Sequence, residues 1–159
     1  MTVIIQGSQT RALLYGAQVL KGPLTPPNSG VTSTLYTVAG GAVIVTALFG
    51  RVTTALSGTT GTIALGTAPT VGTASTTGIA TAVVVGAAEI GTVVTPQASA
   101  GLGGALVVST LHAGNPPFVA NAFVVNTGTI TITTGVATMT GQVQWYLHYV
   151  PLDNGASVS

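Results

Sequence analysis

Between Gly141 and Pro151 apolar and polar residues alternate one by one. Val143, Trp145, Leu147 and Tyr149 share one parity, and Gln142, Gln144, Tyr146 and His148 share the other. Successive side chains of an extended chain point to opposite faces, so a period of two specifies a strand with one dry side and one wetter side. A helix cannot gather those four apolar residues on one stripe. Trp145 is the only tryptophan of the chain, with Tyr146 and Tyr149 beside it. This strand therefore brings the largest block of apolar area and is expected to organise the core. Pro151 stops the ladder because it lacks an N–H, and Asp153-Asn154-Gly155 then supplies turn chemistry.

Upstream, the chain from Val31 onward breaks into short runs rich in Val, Ile and Thr, separated by glycines. Thr34–Val38 stops at Ala39-Gly40-Gly41. Ala42–Gly50 comes next and is prolonged by Arg51–Leu56, with Gly50 expected to mark a bulge or bend. Further runs lie at 62–66, 77–85, 91–95, 106–110, 122–125 and 129–133. β-Branched side chains suit a pleated surface and lose rotamer freedom in a helix. Many short strands spaced about ten residues apart predict an all-β fold, an antiparallel β-sandwich or jelly-roll-like domain. At most one helical turn is expected, near Ala87-Ala88-Glu89-Ile90. The stretch from Ser57 to Thr81 repeats Gly, Thr, Ser and Ala without a fixed period; composition permits a flexible loop or a close-packed contact between backbones.

Residues 1–30 read differently. Gly22-Pro23 and Pro26-Pro27-Asn28-Ser29-Gly30 interrupt regular structure, which suggests an extended N-terminal arm ahead of one domain at 31–159. Leu13, Leu14, Tyr15, Val19 and Leu20, with Val3, Ile4 and Ile5, are too apolar for a solvated tail and are expected to dock on a surface. That surface is a neighbouring subunit or the arm's own body; a first hairpin of the same domain is the competing reading. Trp145, Tyr149, Leu147, Val143, Tyr36 and Phe49 are the residues expected in the core or at assembly contacts.

The chain of 159 residues carries only three Lys and Arg and two Asp and Glu, a net charge of +1, where a typical soluble domain is about a quarter charged. Its surface must be built from Thr, Ser, Gly, Asn and Gln. Copies of such a chain scarcely repel one another, and near-zero net charge promotes association. Three scattered cations, Arg11, Lys21 and Arg51, cannot neutralise a row of phosphates, so neither nucleic acid nor an anionic membrane is an expected partner. Mean hydropathy is +0.68, yet no window offers the roughly 20 consecutive apolar residues of a spanning helix. The N-terminus lacks a basic region followed by a long apolar one, so it does not read as a signal peptide. The absence of cysteine removes disulfides, thiolate ligands and thiol catalysis.

Two segments carry a resemblance: Leu35-Tyr36-Thr37-Val38-Ala39-Gly40-Gly41, followed by an Ile/Val-rich strand, and the run from Val143 through Pro151-Leu152-Asp153-Asn154-Gly155-Ala156 to Val158. In these the chain resembles small β-rich structural proteins of tailed bacteriophage virions, among them decoration or cement proteins that sit on the capsid lattice as trimers. The resemblance implies a homotrimer bound to a major capsid protein or another shell protein, located on the virion after synthesis in the host cytoplasm. Its motifs are structural punctuation, so no functional residue is carried over.

Chemistry has little to draw on. Glu89, Asp153, His112 and His148 are the candidate acids, bases or ligands, and no spacing brings them together as a triad or a metal site. Gly40-Gly41 and Gly103-Gly104 lack the lysine of a phosphate loop and the spacing of a dinucleotide fingerprint. The sequence therefore points away from an enzyme and implies no cofactor and no metal. A tail or head-fibre base component is an alternative within the same resemblance. A Thr-rich face centred on Thr129, Thr131 and Thr133, binding carbohydrate or ice, is another, but such a face needs Thr repeated across several strands and the sequence shows no such repeat. An outer-membrane barrel fits least, lacking aromatic girdles.

Overall fold

In the computed structural model, Leu14, residues 16–96 and residues 122–159 are described in full and residues 106–108 by their backbone course. They form β1 (Ala17–Leu24), β2 (Thr32–Ala39), β3 (Val43–Thr54), β4 (Thr62–Pro69), β5 (Ser75–Val84), β6 (Val93–Pro96), β7 (Leu106–Val108), β8 (Phe123–Val125), β9 (Gly128–Gly135), β10 (Gln142–Pro151) and β11 (Ser157–Val158). Two antiparallel sheets pack face to face as a β-sandwich. Sheet A runs β1-β10-β3-β6-β7, with β8 also on β3, and sheet B runs β11-β2-β9-β4-β5.

The organising strand lies between β1 and β3 in sheet A. Val143, Trp145, Leu147 and Tyr149 are buried, while Gln142, Gln144, Tyr146 and His148 are half-buried on the other side. Against them sheet B presents Leu35, Tyr36, Val38, Ile63, Leu65, Ile130 and Ile132, all in the same apolar cluster. Full burial of side chains of this size contributes about 1.5–3 kcal/mol each relative to exposure.

Gly50 has a different role from the bend expected of it. β3 runs through this position in unbroken register, with Phe49 opposite Tyr146, Gly50 opposite Trp145 and Arg51 opposite Gln144. A Cβ at Gly50 would lie 3.0 Å from the indole and 2.8 Å from Val143 Cγ1. The glycine leaves room for the ring. The irregularities fall on either side of it: Val45 pairs with Tyr149 and Ala47 with His148, so that β3 gains one residue at Thr46, and Val52 pairs with Val143 and Thr54 with Gln142, so that it gains another at Thr53. The extra residue at Thr46 reverses the parity of the strand as far as Val52. Leu48 turns into the core, and Phe49, expected among the core or contact residues, is only half-buried and stacks on Tyr146 on the outer face of sheet A.

The low-complexity stretch is the β4–β5 hairpin. Gly66 packs directly under the backbone of Ser75 and Thr76, which leave no room for a side chain there. Small residues are required because two backbones touch. Near Ala87 the chain forms two successive turns in place of a helical one: Ala88 N–H donates to Val85 O at 3.1 Å and Thr92 N–H to Glu89 O at 3.1 Å.

Within residues 1–30, Ala17–Leu24 is an edge strand of the chain's own sandwich, paired with β10 from Ala17 opposite Tyr149 to Leu24 opposite Val143. Val19 packs against the core. Its carbonyl accepts a hydrogen bond at 3.4 Å from Tyr36 Oη in the facing sheet, and burial pushes the Tyr36 phenol well above its ordinary pKa. Leu20 points outward and is exposed, as is Leu14. Leu13 and Tyr15 lie outside the described residues.

Candidate functional site

The two segments that carry the resemblance meet in space. Ala39-Gly40-Gly41 takes the chain from sheet B to sheet A, and Leu152–Ala156 takes it back beside the first crossing. Ala42 N–H donates to Asp153 Oδ2 at 2.7 Å, and the Leu152 N–H donates to Ala42 O at 3.0 Å. Gly40 and Gly41 have φ of 76° and 148°, in the region where a side chain is costly. A Cβ on Gly40 would also strike the Gly155 carbonyl. β11 then pairs with the end of β2, Ser157 opposite Ala39 and Val158 opposite Val38. Thr37 and Ser159 exchange hydrogen bonds of 2.8 and 3.0 Å. Asp153, a candidate for chemistry in the sequence, is a backbone cap in the fold.

The outer face of sheet A carries apolar rows. Leu20, Tyr146 and Phe49 are adjacent across β1, β10 and β3, with the two rings stacked at 4.8 Å and an interplanar angle of 9°. Val150, Ile44 and Val124 form a second row across β10, β3 and β8, and its end members are 41% and 54% exposed. Between the rows lie Gln18, His148 and Ala47. Loss of water around His148 lowers its pKa from the ordinary 6.5, because burial disfavours the charged imidazolium. His148 is the one side chain in these rows of a type that changes charge near neutral pH.

The outer face of sheet B is built from hydroxyls and small residues. Thr32 pairs with Thr133, Thr34 with Thr131 and Thr37 with Thr129 across β2 and β9, and the hydroxyls of the first pair are 2.8 Å apart. On β4 the same rows continue as Ala64, Gly66 and Ala68. The sequence shows no such array, because the paired threonines lie roughly a hundred residues apart. Its extent is limited: Thr131 is 6% exposed, and the register slips between Thr34 and Tyr36.

Sequence reasoning missed a third feature. Between the end of β1 and the edge of β2 lies a cleft of about 210 Å³, lined by Leu24, Pro26, Pro27, Leu35, Ile132 and Trp145 together with the hydroxyl residues Thr25, Ser33 and Thr34. Leu35 and Trp145, at 0% and 1% exposure, are almost inaccessible to water. No charged side chain lines it. The Pro-Pro loop was visible in the sequence only as an interruption of regular structure, and the slip between Thr34 and Tyr36 was not visible there.

Among the described residues no three His, Cys, Asp or Glu side chains converge on a point where a metal ion could sit. His148 is on the outer face of sheet A, Asp153 caps Ala42, and Glu89 is in the turn after β5. His112 is outside the described residues. No helix among the described residues is long and apolar enough to cross a membrane. Comparison of the chain with protein-family models, with curated proteins and with solved structures found no match.

Proposed function

We propose that this chain is a structural subunit of a bacteriophage virion, a capsid decoration or cement protein that holds its own copies and the head lattice by apolar and backbone contacts. The observation that carries this reading is the outer face of sheet A. There the stacked Tyr146 and Phe49, with Leu20, Ile44, Val124 and Val150, stand where a free monomer would place charge. Exposed apolar rows rimmed by polar side chains are a mark of contact surfaces, and a net charge of +1 offers little repulsion to oppose contact. The two resembling segments close one corner of the sandwich, which accounts for their form without any catalytic role. The assembly we infer is a homotrimer on the capsid surface, with a tail or head-fibre base as the alternative placement.

The test is the mass of the native protein, measured by light scattering in dilute buffer and in about 1 M NaCl. A stable oligomer that persists in salt is expected, because screening acts on charges and these contacts have almost none. Tyr146→Ser should weaken assembly and leave the fold intact. A monomer at every concentration overturns the reading.

The Thr pairs of β2 and β9 favour a second reading, a hydroxyl-bearing face that binds carbohydrate or ice. With two threonine columns interrupted by a register slip, that face is narrower than the apolar one. Retention on a polysaccharide matrix, lost on Thr133→Tyr, would support it over assembly.

A further inference from the structure

An asparagine followed by glycine is the pair of residues most prone to react with itself. The backbone nitrogen of the second residue attacks the side-chain amide carbon of the first, and a glycine, with no Cβ, leaves that approach open. The asparagines of this chain are Asn28, Asn115, Asn121, Asn126 and Asn154, and Asn154 alone precedes glycine. Asn115 precedes Pro116, whose nitrogen has no hydrogen to give up, while Asn121 and Asn126 precede Ala122 and Thr127, whose side chains shield the nitrogen. At Asn28 the nucleophile is held, because Ser29 N–H donates to Thr138 Oγ1 at 3.2 Å. Asn154 differs on each count. It is exposed at a corner of the sandwich, a Cβ on Gly155 would meet nothing within 4 Å, and no backbone carbonyl of the described residues accepts the Gly155 N–H.

We infer that Asn154-Gly155 is a self-modifying site whose reaction loosens the corner it belongs to. In the first step the Gly155 nitrogen bonds to Asn154 Cγ and gives its proton to solvent, while the side-chain nitrogen takes up a proton and leaves as ammonia. The product is a cyclic succinimide. Water then opens the ring at either carbonyl, giving aspartate or, with the main chain rerouted through Cβ, isoaspartate. Both products add one carboxylate to a chain with two acidic residues and a net charge of +1, so the net charge falls to zero. The new charge lies next to the Asp153 carboxylate that accepts Ala42 N–H at 2.7 Å, and like charges repel at this separation. Isoaspartate also adds a backbone atom to the turn that Ala156 N–H closes on Asp153 O at 3.1 Å. The turn has no slack for it, since the Gly155 carbonyl packs against Gly40 so closely that a Cβ there would strike it. β11 follows directly, Ser157 opposite Ala39 and Val158 opposite Val38, with Thr37 and Ser159 exchanging hydrogen bonds beyond it. A shift of Gly155 therefore pulls this short strand away from β2. The inference does not depend on the assembly reading above.

The test incubates the full-length folded protein in warm, mildly alkaline buffer and follows it by isoelectric focusing and peptide mass mapping. A species shifted to the acidic side by one charge should accumulate and map to Asn154, part of it a substrate for an isoaspartyl methyltransferase, before any other asparagine reacts. Asn154→Gln should abolish that species, because the longer side chain closes a larger ring more slowly. Asn154→Asp adds the charge without the extra backbone atom and so separates the two effects. In the purified modified protein, amide hydrogen exchange at Thr37, Ala156 and Ser159 should quicken, most in the isoaspartate form, while Trp145 emission is unchanged. Reaction at Asn28 or Asn126 as early as at Asn154 overturns the site, as does an Asn154 that survives in the folded protein while a free Asp-Asn-Gly-Ala peptide reacts. Modified protein whose exchange at those amides matches that of the wild type overturns the loosening of the corner.

Discussion

Sheet A and sheet B solve the same packing problem with different materials. Sheet A concentrates bulk on both sides of β10: Trp145, Leu147 and Tyr149 inward, and Tyr146 with its stacked partner Phe49 outward. Sheet B places aliphatic residues inward, Ile130, Ile132, Ile63 and Leu65, and covers its outside with Thr, Ala and Gly. The large indole is accommodated because one glycine, Gly50, lies beneath it. The hairpin of sheet B is accommodated because Gly66 lets the Ser75–Thr76 backbone lie on top of it. Sheet A should therefore be most sensitive to removal of atoms, and sheet B to their addition. The outer faces differ in the same way, apolar and aromatic on one, hydroxyl-bearing on the other, so contacts made through sheet A gain from area and contacts through sheet B from hydrogen bonds.

The largest expected effect is on the sheet A side. Trp145→Ala should lower unfolding free energy by about 3–5 kcal/mol, since the ring is fully buried and its neighbours collapse only in part. Urea titration followed by circular dichroism measures this, and a loss below about 1 kcal/mol would show that β10 does not organise the core. Next is the addition of one methyl group to sheet B. Gly66→Ala should destabilise by about 1–3 kcal/mol, the usual cost of overpacking, because the obstructing atoms are backbone and cannot rotate away. If Gly66→Ala is neutral while Gly50→Ala is costly, the contrast between the sheets is reversed.

A smaller effect tests the hydroxyl face. A double-mutant cycle of Thr32→Val and Thr133→Val should give a coupling of about 0.2–1 kcal/mol, the range of cross-strand pairs. Zero coupling would mean that the 2.8 Å contact contributes nothing beyond its two hydration shells. The smallest effect is on pH dependence and belongs to sheet A. The folded-state pKa of His148 is depressed below 6.5, so below that pH the unfolded chain takes up a proton that the folded chain refuses. Stability should fall as pH drops through about 6.5 and level off below the folded value. The difference in urea midpoint between wild type and His148→Gln from pH 8 to 5 isolates this term; a midpoint that rises toward acid in wild type alone would reverse the sign.

Much of the architecture was legible because strand patterning is local. The alternation from Gln142 to Tyr149 marks an inner and an outer face on β10, and the glycine-bounded runs of Val, Ile and Thr give the all-β class and most strands within a few residues. Which face Phe49 occupies was not legible because parity is a running count. One extra residue at Thr46, with no signature in composition, inverts the side chains after it until a second extra residue at Thr53. Gly50 was misread for a related reason: the cause of a glycine there is the indole of a residue nearly a hundred positions later.

The residues by themselves determined the strand class, the position of the tryptophan strand as the largest apolar block, the turn chemistry of Gly40-Gly41 and Asp153–Gly155, and a surface almost without charge. Each comes from side-chain chemistry or from period-two spacing within one segment. Only the tertiary structure decided that those two turns form a single corner, that threonines of β2 and β9 stand opposite one another, and that the edge of β2 borders an uncharged cleft beside Trp145. These depend on which strands pair and in what register, and register is fixed by the sum of packing across both sheets, a quantity no single stretch of the chain contains.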